Sequence, residues 1–353
     1  RKGYLEDLTS LYTEEVEDGK TLDDVILQEF KSFVTVNGKL YGVPWEGAVT
    51  GFAYNTKMFA QYGWKVPTTM DEFFQLCDDI VEDTNGTVAP LVYCGGIAEG
   101  YFQNIMLSWM SQYEGEEGTE EFFALESADV FLKEGRKLAY EQVVKIISDD
   151  SIVLSGSKGF DHLAAQREFI QGHAAMVPTG SWLETEMSEY LSEFPNFEMA
   201  IFAAPSIKPD GTDKTGTPRT VSTGNADLLA IPTKAQNKEL AKEFLLFMSR
   251  QDMLKLFTEK TGGNPRPFVY DEDTDWSNLS TFGKSVMNVW QTSVNIFPYS
   301  DNAKYKEGRV GFWMAGAGMP VTYLQNLASN QMGAGVEHLV QADYDLAVQR
   351  LSD

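Results

Sequence analysis

Apolar residues along this chain fall into short runs of two kinds, and the spacing within each run separates helix from strand. Beyond Pro67, the residues Phe73, Cys77, Ile80 and Val81 share one helical face. Thr69, with Glu72 three positions on, supplies a capping box at the start of that helix. The same periodicity predicts helices in "YFQNIMLSWMSQY", at about 127–141, in "HLAAQREFIQG" closed by Gly172, in "TGSWLETEMSEYL" and in the final "DYDLAVQRL". A long helical region, "NKELAKEFLLFMSRQDMLKLF", places Leu240, Phe244, Phe247 and Met248 at core-facing spacing before "TGGNPRP" breaks it. Between these lie short apolar runs that read as strands: Phe52 to Tyr54, "APLVYCGG", "AAMVP" and "NADLLAIP". Asn37-Gly38 marks a hairpin turn, and residues 4–36 read as an acidic helical region of weak periodicity. Strands alternating with helices predict an α/β protein with mainly parallel or mixed sheets.

Composition narrows the partners. The 353 residues allow two domains, each with a core of its own. The balance of 28 Lys+Arg against 52 Asp+Glu gives a net charge of −24, which repels nucleic acid and anionic lipid surfaces. Cys77 and Cys94 form no CxxC pair, and each is expected to be a buried thiol. No apolar run approaches the ~20 residues of a membrane helix. Of the 7 Trp, 15 Tyr and 22 Phe most are expected in the core, but seven tryptophans exceed what packing alone requires and leave aromatic faces for a ligand.

Signals for catalysis are weak. His162, His173 and His338 are scattered, with no zinc-ligand spacing, so neither a metal nor a cofactor is expected. There is no phosphate-binding loop, no dinucleotide fingerprint and no nucleophile elbow; "TGSWL" lacks the glycine that would follow the serine. The 52 acidic residues supply many carboxylate pairs, so a glycoside hydrolase stays open as an alternative. "KPDGTDKTG" carries two aspartates without the pattern of an EF-hand and reads as a surface loop.

Several segments carry a resemblance. "GKLYGVPWEGAVTGFAYNTKMFAQYGWKVPTTMDEFFQLC" is similar to the crossover segment of the extracellular solute-binding proteins of bacterial ABC importers, the carbohydrate-binding family that includes maltose-binding protein. "REFIQGHAAMVPTGSWL", "STGNADLLAIPTKAQNKELAKEFLLFM" and "TGGNPRP" resemble later elements of that family, in the same order. The resemblance implies an α/β, two-lobed, periplasmic-binding-protein-like fold (type II), with a ligand cleft between lobes joined by crossover strands. Lobe 1 is expected from 1–46 with 225–280, and lobe 2 from 47–224 with 281–353. Against the family pattern, an opening strand–helix–strand unit of roughly 30 residues is expected to be absent from lobe 1.

The resemblance also implies a function: a substrate-binding component that closes on a sugar or oligosaccharide and delivers it to membrane permease subunits. It implies a monomer outside the cytoplasm, periplasmic or a surface lipoprotein. A non-sugar solute such as a quaternary amine is the alternative within the same architecture, and an adaptor role is a third. Within "VPWEGAVTGFAYN", Trp45 offers a flat face to the apolar side of a sugar ring and Glu46 accepts from hydroxyls. Ser181 and Trp182 follow a strand, where ligands of open α/β sheets bind. By position in the family, Glu99, Tyr101 and Phe102 form a contact segment. Asn225 lies in the second crossover, and Arg309 and Trp313 in a glycine-rich stretch, as further expected contacts.

Overall fold

A four-stranded mixed sheet organises the larger part of the molecule. The structure is a computed structural model that describes residues 3–96, 101–207, 219–221, 228–296 and 335–352. Glu99, Asn225, Arg309, Trp313 and the loop 208–216 lie outside the described residues. In chain order, the strands that matter here are β1 (Val43–Pro44), β2 (Thr50–Asn55), β3 (Ala89–Leu91), β4 (Ala174–Gly180), β5 (Met199–Phe202) and β6 (Leu228–Leu229). The longer helices are α1 (Thr56–Tyr62), α2 (Met70–Asp83), α3 (Phe102–Ala124), α4 (Glu134–Ile147), α5 (His162–Ile170), α6 (Lys238–Phe247), α7 (Gln251–Lys260), α8 (Thr281–Thr292) and α9 (Val336–Ser352).

The sheet order is β3-β4-β2-β5, with β3 parallel to β4 and β2 antiparallel to both of its neighbours. Alternation along β2 divides its side chains between two cores. Phe52 packs on Phe73 of α2 at 5.1 Å between ring centroids, in a cluster that α3 completes with Ile105, Met106 and Trp109. Ala53 faces the opposite cluster, where α5 contributes Phe169 and α8 contributes Phe282, Val286 and Trp290. The Phe169 cluster also takes in Leu8, Leu11 and Phe30 from the start of the chain.

Local chemistry explains where several elements begin. Thr69 accepts from the Glu72 amide at 3.1 Å while the Glu72 carboxylate accepts from the Thr69 amide at 3.3 Å, the expected capping box. Thr69→Ala is expected to cost about 1 kcal/mol, read as a lower urea midpoint at unchanged slope. Asn37 (φ 52°) and Gly38 (φ 73°) make the anticipated hairpin turn between Thr35–Val36 and Lys39–Leu40.

Other expectations are corrected. Residues 4–36 are not one helical region. Asp18 (φ 51°) and Gly19 (φ 75°) turn the chain between two short strands, Glu15–Glu17 and Lys20–Thr21, and only single helical turns flank them. An Asp-Gly pair adopts this positive-φ turn readily, and the weak periodicity around it opposes nothing. The helix expected at 127–141 starts later, at Glu134, after a 3₁₀ turn over Ala128–Leu132. "LETEMSEYL" forms two separate turns, Leu183–Glu186 and Ser188–Leu191.

The stripe expected to face the core on α6 points outward: Leu240, Phe244 and Phe247 are 63%, 49% and 46% exposed, while Leu245 is 3% exposed. Helical spacing identifies an amphipathic helix, but the neighbours decide which face is covered. Leu240→Ser is therefore expected to shift stability by no more than about 0.5 kcal/mol in the same denaturation assay.

The C-terminal helix α9 is anchored by a buried ion pair. Asp343 accepts from Arg136 Nη2 at 2.6 Å and Nε at 3.1 Å, and from the Tyr140 hydroxyl at 2.5 Å. The guanidinium lies between the rings of Phe122, Phe131 and Tyr140.

Candidate functional site

Strand β1, just before the Trp45 segment, lies against β6, whose Leu228 and Leu229 pair antiparallel with Pro44 and Val43. Two crossover segments thus run side by side. Gly47 is required where they meet the rest of the fold. Its amide donates to the Pro265 carbonyl at 2.8 Å, and a Cβ there would sit 2.7 Å from the Trp290 ring.

Trp45 turns toward α6 and α7. Its ring stacks on Phe244 at 6.4 Å, meets Phe257 edge-on at 5.7 Å and carries the Arg266 guanidinium 4.1 Å from its centroid. Trp45 and Glu46 are both half-buried. Arg266 is fully buried; its Nε donates to the Trp45 carbonyl at 2.8 Å, Nη1 donates to the Met248 carbonyl, and Nη2 has no hydrogen-bond partner among the described residues. Burial without a carboxylate pushes the Arg266 guanidinium down to about 10. This arginine sits inside "TGGNPRP", a stretch whose turn chemistry drew attention away from its one charge.

A second aromatic group forms at the carboxyl end of β4. Trp182 folds back over Gly180, where a Cβ would lie 2.2 Å from the indole ring, so only glycine permits this placement. The Trp182 ring meets Tyr101 edge-on, at 5.7 Å between centroids and 68° between planes. Both residues are half-buried. Burial holds the Tyr101 phenol above its ordinary range, with the nearby Cys94 and Glu186 adding to the effect. Tyr101 has φ 62°, a left-handed conformation that costs a non-glycine residue of order 1 kcal/mol. It occupies that strained position where α3 begins.

Polar side chains missed by the sequence reading stand beside this corner. Helix α5 leads through Gly172 into β4 and packs back along it, which brings His162 at its start to the end where Gly180 lies. Gln166 donates to Glu186 Oε2 at 2.7 Å, and His162 Nε2 lies 3.3 Å from Glu186 Oε1. Gln166 Oε1 and His162 Nδ1 are buried, with no hydrogen-bond partner among the described residues. His162 and Gln166 are four residues apart on one helix, a spacing the sequence displays. What it does not display is that Glu186, from another element, reaches the same point.

Two expected contacts are corrected. Phe102 is fully buried, packed on Tyr93 at 5.6 Å, and presents no face to a ligand. Ser181 is also fully buried. Its amide donates to the Val49 carbonyl at 2.9 Å and its Oγ accepts from the Val49 amide at 3.3 Å, so it fastens the crossover to β4. The structure therefore brings Trp182 and Tyr101 together and gives Trp45 different neighbours.

Known proteins match this chain over much of its length. The family model for bacterial extracellular solute-binding proteins matches residues 1–283. The multiple sugar-binding protein of Streptococcus mutans is 27% identical over 246 residues, covering 69% of this chain and 55% of the relative. The melibiose/raffinose/stachyose-binding protein MelE of Bacillus subtilis is 26% identical over 260 residues, covering 71% of this chain and 56% of the relative. The chain spans about half the length of these curated relatives. Among solved structures, apo RafE from Streptococcus pneumoniae superposes with a TM-score of 0.70 at 19% identity, covering 99% of this chain and 79% of the other. A chitin oligosaccharide binding protein gives a TM-score of 0.68 at 20% identity, covering 99% and 80%. The fold is thus the two-lobed α/β type of these proteins, and the match over residues 1–283 places the chain in the bacterial extracellular solute-binding protein family.

Proposed function

We propose that this protein is the substrate-binding component of an ABC importer and binds a neutral sugar or oligosaccharide between two lobes, 1–46 with 225–280 and 47–224 with 281–353. The observation that carries this reading is the Tyr101–Trp182 corner at the carboxyl end of β4, with the side chains of Gln166 and His162 beside it. Half-exposed rings suit the C–H faces of a sugar, and polar side chains beside them suit its hydroxyls. The names of the matched relatives point to the same ligand class. Closure follows from ligand contacts made to both lobes only in the closed state. The closed protein, a monomer, then docks on the membrane permease. The protein performs no chemistry of its own.

A thermal-shift screen tests this reading, with raffinose, stachyose and smaller sugars against quaternary amines and amino acids. A ligand at ~100 times its dissociation constant stabilises the folded state by about 2.7 kcal/mol. One sugar class is expected to raise the melting temperature. A shift from quaternary amines alone would replace the sugar by a cation, and turnover of a chromogenic glycoside would make the protein an enzyme.

A further inference from the structure

A cavity of about 510 Å³ lies apart from the Tyr101–Trp182 corner, between the chain leaving β5, the turn before α2 and the last two turns of α8. Its floor includes Gln112 of α3, ten residues beyond Phe102, which places it ~15 Å along the helix axis from the corner. Every lining residue belongs to 47–224 or 281–353, so the cavity sits wholly within the segments assigned to lobe 2.

Its lining is unusual for this protein. The chain is 23% charged, yet among the described residues none of the sixteen that line the cavity is Asp, Glu, Lys, Arg or His. Polar groups are present all the same. Gln112 is 1% exposed; its Nε2 donates to the Ala204 carbonyl at 2.9 Å, and its Oε1 has no hydrogen-bond partner among the described residues. Thr292 donates to the Asn288 carbonyl, which leaves its oxygen lone pairs facing outward as acceptors. The Asn288 carboxamide stands exposed at the mouth. Between these groups, Pro67, Phe202 and Val289 supply apolar surface.

A site without charge gives an ion nothing with which to replace its hydration. A ligand with apolar C–H faces and several hydroxyls matches this alternation of apolar surface and uncharged polar groups. The volume falls within the range of small-molecule sites. We propose that this cavity is a second binding site, separate from the interlobe site, for a neutral polyhydroxylated molecule of mono- to trisaccharide size.

The test places a reporter at the cavity itself. Val66 lines the rim and is 38% exposed, and both native cysteines are buried, so Val66→Cys takes an environment-sensitive fluorophore selectively. The labelled protein is titrated with raffinose and, as an anionic control, glucuronate, with and without Trp182→Ala. The expected result is a saturable raffinose signal that persists with Trp182→Ala, weakens at least tenfold with Asn288→Lys, and is at least tenfold weaker for glucuronate. Asn288 is exposed, so its replacement leaves the fold intact, as a circular dichroism melt will check. An absent signal, one lost with Trp182→Ala, or one indifferent to Asn288→Lys would overturn the second site. A signal lost with Trp182→Ala would instead report binding at the corner, and failure of the second site otherwise leaves the interlobe reading to the unlabelled thermal shift.

Discussion

Asp343→Ala is expected to lower the unfolding free energy by about 3–5 kcal/mol, because it leaves the Arg136 guanidinium buried without a counter-charge. Arg136 and Asp343 are 7% and 6% exposed, and three rings surround the guanidinium, so water cannot replace the lost carboxylate. The Tyr140 hydroxyl loses its acceptor in the same substitution. Urea denaturation reads the loss as a lower midpoint at unchanged slope. Arg136→Met and Asp343→Leu combined with Tyr140→Phe are expected to recover most of it, since the triple change removes both charges and the hydroxyl left without an acceptor. A loss below about 1 kcal/mol for Asp343→Ala would mean that α9 yields enough to hydrate Arg136.

Trp182→Ala is expected to weaken sugar binding by about 2–4 kcal/mol, roughly 30- to 1,000-fold in Kd. The indole lies over Gly180 and against Tyr101, so its position is set before any ligand arrives. A preset ring loses little conformational entropy on binding, and its removal forfeits both contact area and the partner of Tyr101. Trp182→Phe keeps an aromatic face and is expected to retain most of the affinity. Calorimetric titration with the sugar identified by thermal shift measures both variants. Unchanged affinity in Trp182→Ala, with the fold intact, would move the binding site away from this corner.

Much of the architecture was legible before any coordinates. Thr69 and Glu72 announced the start of α2 because a capping box is closed within four residues. Asn37-Gly38 announced its hairpin for the same reason: the φ values are a property of the dipeptide. The alternation of strands with helices announced the α/β class. Where the local signal was weak, as around Asp18-Gly19, the helical reading of 4–36 failed against a turn the dipeptide already encoded.

The site was legible only in part. Trp182 and Tyr101 were marked by their positions after strands, and they meet. Phe102 and Ser181, their immediate chain neighbours, are buried in packing and in the tie to Val49. Adjacent residues at a strand end point in different directions, and direction depends on what lies on either side. Gln166, His162 and Glu186 escaped notice because their convergence comes from two separate elements.

The sequence by itself determined the α/β class, the start of α2, the Asn37-Gly38 turn and the family, because each rests on short-range chemistry or on ordered local motifs. Only the tertiary structure decided which apolar face of α6 is covered, that Arg266 lies under Trp45, that Arg136 meets Asp343 some two hundred residues away, and that an uncharged cavity opens beside β5. Each of these is a contact between distant segments, and burial, pairing and cavity shape are properties of the packed whole rather than of any window of the chain.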